Sequence, residues 1–235
     1  MFANNVLALA ATFALALAWL RSVDFIAHRG WISGPVSRKI IHAGTGPVFV
    51  LCWLFFRDVP SARFLAALVP FAITLQFVLV GLGLWRDPAA VKAMSRTGDR
   101  REILRGPLFY GIVFIILTLV YWKESPIGIV ALMLLCGGDG LADIVGKRFG
   151  RARLPWSKNK TWAGSLGMLA GGWLFSVLVL WVFIAAGQFS GSLQTYLLPV
   201  TIISLVATAV ESLPLNDLDN ITVPGVAVIL GYLLF

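Results

Sequence analysis

Long apolar runs separated by short polar segments fill almost the whole chain, and no stretch of mixed polarity is long enough for a separate soluble domain. Eight runs read as membrane spans: Phe2–Leu20, Ala43–Phe56, Phe64–Trp85, Gly106–Trp122, Pro126–Ile144, Gly164–Ala186, Thr195–Val210 and Thr222–Phe235. Several are shorter than the roughly 20 residues a perpendicular helix needs, so tilted or re-entrant segments put the expected count at roughly seven to nine. The pattern predicts an all-α, polytopic transmembrane helix bundle, with residues 1–235 forming one integral membrane domain. The first run is not read as a leader peptide, because Met1-Phe-Ala-Asn-Asn5 lacks a basic start and Arg21 follows the run.

Composition agrees, since 59% hydrophobic and 13% charged residues exclude an ordinary soluble domain. Cys52 and Cys136 sit far apart in apolar runs and read as buried small hydrophobes. Charge then orients the bundle. Of the nineteen lysines and arginines, sixteen fall in the first, third and fifth loops, and the remaining three are Arg57, Arg63 and Lys123. By the positive-inside rule those three loops, and the seventh, face the cytoplasm or an equivalent compartment and the N-terminus lies outside. The net charge of +8 is thereby explained by topology and anionic headgroups, with no nucleic-acid partner.

Five of the eleven carboxylates fall in two short stretches beside or inside apolar runs, Gly137-Gly-Asp-Gly-Leu-Ala-Asp143 and Glu211-Ser-Leu-Pro-Leu-Asn-Asp-Leu-Asp-Asn220. Ionisable groups at a bilayer edge are costly unless they face a cavity, pair with a cation or bind a metal. Asp139 and Asp143 are four apart, so on a helix they share a face and can offer oxygens to one cation. Gly138 and Gly140 leave the surface around them bare, for close helix packing or a ligand. In the second stretch Glu211 ends a span, and Asp217 and Asp219 project to one side of an extended segment. Asp139, Asp143, Glu211, Asp217 and Asp219 are the candidate metal ligands, with Asp139, Asp143, Asp219 and Lys160 the candidate catalytic set.

Between the stretches lies a basic loop, Lys147-Arg-Phe-Gly-Arg-Ala-Arg-Leu-Pro-Trp-Ser-Lys-Asn-Lys-Thr161. Thr161 reads as the N-cap of the following span, and a helix start beside Lys158, Asn159 and Lys160 suits an anion. Gly-x-x-x-x-Gly-Lys-Ser/Thr is absent, so a nucleotide site here is not of the P-loop kind. Arg38, Lys39 and His42 recur at helical spacing as further phosphate contacts, His42 also as a proton acceptor. With Lys147, Gly138 and Gly140, these residues form the candidate nucleotide site, built from segments 37–42, 137–167 and 211–224 at the cytoplasmic face. Carboxylates for a divalent metal with cations for phosphates match the needs of phosphoryl or nucleotidyl transfer.

Taken in order, Ser37-Arg-Lys-Ile-Ile-His42, Gly138-Asp-Gly-Leu-Ala-Asp-Ile-Val-Gly-Lys-Arg-Phe-Gly150, Lys158-Asn-Lys-Thr-Trp-Ala-Gly-Ser-Leu-Gly167 and Glu211 to Pro224 resemble the phytol kinase branch of the dolichol kinase family. The resemblance implies a multi-pass enzyme that phosphorylates a long-chain isoprenoid alcohol of the phytol, geranylgeraniol or farnesol type, using CTP and a divalent metal such as Mg²⁺. The related phosphatidate cytidylyltransferases, which make CDP-lipids, are the alternative. Their C-terminal signature is replaced here by Leu215-Asn-Asp-Leu-Asp-Asn220. A transporter is a further alternative, but its site is expected near the midplane between repeated halves, and these acids lie at span ends without an internal repeat.

Overall fold

The computed structural model describes residues 4–95, 97–215 and 218–235, so Asp217 lies outside the described residues. It is all-α apart from one small hairpin. The helices are α1 (Asn5–His28), α2 (Gly34–Cys52), α3 (Ala62–Leu82), α4 (Pro88–Met94), α5 (Gly106–Val120), α6 (Pro126–Met133), α7 (Asp139–Phe149), α8 (Trp162–Ala185), α9 (Leu193–Glu211) and α10 (Asp219–Leu234). Short 3₁₀ turns follow α2 and precede α5.

Among the described residues, six stretches are long and apolar enough to cross a membrane: Asn5–His28, Ala62–Leu82, Arg100–Val120, Pro126–Phe149, Trp162–Ala185 and Leu193–Glu211. The expected spans Ala43–Phe56 and Thr222–Phe235 do not meet that standard. The first is the latter half of α2, whose opening turns carry Arg38, Lys39 and His42 and dilute its hydropathy. The second lies within α10, a helix of 16 residues. Lipid-facing surface is plain on the longer helices. On α3, Phe64, Leu68, Phe71 and Leu75 are all exposed at spacings of four, three and four, one continuous stripe.

The stretch Pro126–Phe149 is the centre of the bundle. All of Ile127–Gly138 is buried. Between α6 and α7 the chain takes one wider π turn, Leu134–Gly138, which shifts the helical phase of everything after it, beginning with Asp139. Glycines let the neighbours come close. A Cβ on Gly171 of α8 would lie 2.5 Å from the Gly137 carbonyl oxygen, and one on Gly167 would lie 2.8 Å from that of Leu141. On the other side, a Cβ on Gly46 of α2 would meet Cys136 Sγ at 2.3 Å. Both cysteines are free and buried.

The basic segment between α7 and α8 is not a plain loop. It folds into an antiparallel hairpin of β1 (Arg153–Leu154) and β2 (Ser157–Thr161), with a register irregularity between Arg153 and Leu154. Thr161 ends β2 and caps α8, its hydroxyl accepting from the Gly164 amide at 3.1 Å. Trp156 in the hairpin turn donates its indole N–H to Ser212 Oγ just past α9, at 3.1 Å. These two anchors fix β2 over the end of α9.

Candidate active site

The opening turns of α2 and the ends of α4, α5, α7 and α10 converge on one polar cavity, and the hairpin reaches its acids through Lys160. A Cβ on Gly140 of α7 would come within 2.5 Å of Ala43 Cβ on α2, and this contact brings the turn before Ala43 against Asp139. Lys39 Nζ donates to Asp139 Oδ2 at 3.0 Å. His42 Nε2 lies 3.2 Å from the same oxygen and 3.2 Å from the Leu135 carbonyl oxygen. Both neighbours of Nε2 are acceptors, so Nε2 carries a hydrogen and acts as a donor that fixes the carboxylate.

From the opposite side, Glu211 at the end of α9 and Asp219 at the start of α10 complete the cluster. Ligand oxygens of Asp139, Glu211 and Asp219 all lie within 4.8 Å of one another. Glu211 is 3% exposed. Three carboxylates this close repel strongly unless cations sit among them. Lys160 of β2 supplies one, donating to Glu211 and, at 3.4 Å, to Asp219. Burial pulls the Lys160 ammonium toward losing its proton, but the charges of Glu211 and Asp219 outweigh this and hold its pKa above the ordinary lysine value.

The cavity in front of this cluster measures about 240 Å³. Its wall includes Arg38, Lys39, His42, Asp139 and Asp219 together with residues that the sequence did not single out, among them Glu102, Arg105, Tyr110 and Asn220. Tyr110 stacks on His42 with ring centroids 4.4 Å apart and donates its hydroxyl to the His42 carbonyl oxygen at 3.1 Å. Arg38 donates to the Ser95 carbonyl oxygen at 2.9 Å, which ties α2 to the end of α4. The available signal for α5 was Arg105-Gly-Pro107, a cation immediately before a helix start, in a loop whose other charges are explained by topology.

Not every predicted site residue joins the cluster. Asp143 lies one turn beyond Asp139 and is outside the carboxylate triad, held instead by Lys147 at 2.7 Å. Lys147 and the hairpin residues Lys158 and Asn159 are exposed. Gly138 and Gly140 abut Met168 and Ala43, so their missing side chains serve helix packing. Asp139 and Asp143 are four apart within α7, but among the described residues only Asp139 joins the triad, while Asp143 is paired along the same helix with Lys147.

Carboxylate oxygens from three elements, one of them fully enclosed, form a hard-donor set of the kind that takes Mg²⁺ or a similar divalent cation. Lysines already interleaved with the acids, and Arg38 and Arg105 on the cavity wall, provide the positive charge that phosphates need.

No family profile and no solved structure matches the chain. Curated relatives do. It is 43% identical over 222 residues to the probable phytol kinase, chloroplastic, of Triticum aestivum, covering 94% of this chain and 74% of that protein. It is 38% identical over 234 residues to phytol kinase 1, chloroplastic, of Arabidopsis thaliana, covering 99% and 77%. To the farnesol kinase, chloroplastic, of the same plant it is 40% identical over 234 residues, covering 99% and 76%. Likeness at this level along nearly the full length, with residues of the four ordered motifs meeting at one carboxylate cluster, makes the chain a member of the phytol kinase family.

Proposed function

We propose that this protein is a membrane-embedded kinase that transfers the γ-phosphoryl group of CTP to a long-chain isoprenoid alcohol, giving the prenyl monophosphate. The observation that carries the reading is the cluster of Asp139, Glu211 and Asp219 interleaved with Lys39 and Lys160 at the wall of a polar cavity, in a chain whose relatives are named phytol and farnesol kinases.

Asp139, Glu211 and Asp219 are the residues to hold Mg²⁺, which when bound supplies charge neutralisation at the phosphates. Lys39 and Lys160, now paired with those acids, have the length and charge to turn to phosphate oxygens. Arg38 and Arg105 extend that cationic wall. Asp143, Lys147, Lys158 and Asn159, one turn and one hairpin away, serve the distal part of the nucleotide. The alcohol oxygen attacks the γ-phosphorus in line, the bond to the CDP oxygen breaks, and the hydroxyl proton passes to a carboxylate of the cluster. His42 positions Asp139 through Nε2. Phosphoryl transfer has a loose transition state, so alignment and charge neutralisation can carry most of the catalysis.

In the bilayer, α2 and α10 complete an eight-helix bundle with the six longer spans. The N-terminus lies outside and the site faces the cytoplasm or its equivalent, where a water-soluble nucleotide meets a lipid-borne hydroxyl. The test is an assay of purified protein in detergent with phytol, geranylgeraniol and farnesol against CTP, ATP, GTP and UTP, with and without Mg²⁺. Prenyl monophosphate with CDP is the expected product pair. A CDP-lipid with pyrophosphate overturns the kinase in favour of a cytidylyltransferase.

A further inference from the structure

α5 and α10 both begin at the polar cavity and run away from it side by side. Tyr110, Asp219 and Asn220 on their first turns line the cavity. Beyond them, Val113, Ile116 and Leu117 of α5 face Pro224, Gly225 and Val228 of α10 across an apolar groove of about 240 Å³. Ile116 and Ile221 on its rim are half exposed, so the groove opens sideways toward lipid. Asn220 on the polar cavity and Val228 at the far end of the groove are eight helical steps apart, about 12 Å along α10.

Gly225 marks the groove as more than loose packing. A Cβ built on it meets nothing within 4 Å. Gly111 on α5 and Gly231 on α10 behave differently, because a Cβ there would press on Thr74 at 2.1 Å and on Ile127 at 2.9 Å. Those two glycines let helices approach. Gly225 leaves space that no part of the chain fills.

We propose that this groove holds the isoprenoid chain of the acceptor alcohol, and that Gly225 determines which chains fit. The inference rests on the prenyl alcohol kinase reading. Continuity selects the occupant: an alcohol is polar at one end only, and the path between α5 and α10 is polar at the Asp219–Asn220 end and apolar from there on. With the hydroxyl beside Asp219, the first two isoprene units lie over Ile221 and Pro224, and the rest of a longer chain passes Gly225 and leaves through the lateral opening into the bilayer.

The test compares kcat/KM for geraniol, farnesol, geranylgeraniol and phytol in wild type, Gly225→Leu and Ile229→Leu. Ile229 lies on the exposed flank of α10 outside the groove. Gly225→Leu should lower the ratio of phytol to geraniol by about tenfold or more, the scale of a few methylenes in a hydrophobic site. Ile229→Leu should leave that ratio unchanged. In parallel, a farnesol analogue carrying a diazirine on its chain is irradiated with wild-type protein, and label is expected within 113–121 and 221–228. If Gly225→Leu does not fold, the wild-type labelling decides alone. An unchanged ratio, or label confined to other helices, overturns the groove. Wild-type protein inactive on every alcohol overturns the kinase reading itself, whichever residues are labelled.

Discussion

Lys160, on the second strand of the hairpin, forms an ion pair with Glu211, the last residue of α9, 51 positions further along the chain. Glu211 is almost fully enclosed, and removing one partner of such a pair leaves an uncompensated buried charge, a cost of about 3–5 kcal/mol. Lys160→Met should therefore lower the thermal midpoint in detergent. Added Mg²⁺ should raise the midpoint of the variant more than that of wild type, because Glu211 and Asp219 then lack Lys160 while Asp139 keeps Lys39. The pKa of Lys160 is raised in the folded protein, so its contribution is complete below the ordinary lysine pKa and disappears only as pH rises through the raised value. The gap between variant and wild type should thus persist at neutral pH and close in strongly alkaline solution. Equal Mg²⁺ shifts in the two proteins would argue against a metal at this cluster.

Asp139 and Asp219 come from helices 80 positions apart in sequence, yet their oxygens belong to one triad. Changing either to Asn keeps shape and removes charge. Each single variant should lose roughly a hundredfold in turnover, the scale of a lost preorganised electrostatic contact. The double variant should lose far less than the product of the two, since both act through one site. Kinetics that multiply strictly would separate their roles.

Helix packing at the π turn makes a different prediction. Gly171→Ala places a methyl group against the Gly137 carbonyl oxygen, a backbone atom that cannot swing aside. Overpacking of this kind costs about 1–3 kcal/mol. The displaced backbone is two residues from Asp139, so turnover should fall along with the thermal midpoint. A variant with wild-type midpoint and turnover would show that α8 can withdraw freely.

Sidedness can be read with single cysteines in a background lacking Cys52 and Cys136. Positions 152 in the hairpin and 213 after α9 should be protected together from an impermeant thiol reagent in intact cells, while position 59, before α3, reacts. Labelling of 152 and 213 from opposite sides would be incompatible with Lys160 reaching Glu211 in the membrane.

The apolar runs and their breaks carried most of the architecture, because a bilayer requires every span to be a helix that satisfies its own backbone. Phase was less legible. Nothing in Leu134-Leu-Cys-Gly-Gly138 announces a π turn, which sets the direction that Asp139 and the rest of α7 take relative to α6. Asp139, Glu211 and Asp219 were visible as acids beside or inside apolar runs, Lys39 by its helical spacing from His42 and Lys160 by its place before a helix start. Tyr110 and Asn220 were not, since a tyrosine in a span or an asparagine in a loop is ordinary until the fold sets it on a cavity wall. The hairpin was hidden by its composition, as Ser157-Lys-Asn-Lys-Thr161 lacks the alternation of a half-buried strand.

The order in which the cluster's residues occur along the chain has a bearing on biogenesis. Lys39, His42, Asp139, Lys160 and Glu211 are all synthesised before Asp219, and the nearest of the ion pairs holding the cluster together closes across more than fifty residues. Synthesis runs from the N-terminus, so the pairs Lys39–Asp139 and Lys160–Glu211 can both form before Asp219 exists. The carboxylate triad of Asp139, Glu211 and Asp219 is consequently incomplete until α10 is made and docks. Arrival of that helix brings in the third carboxylate and, in the same event, the second wall of the apolar groove beside α5.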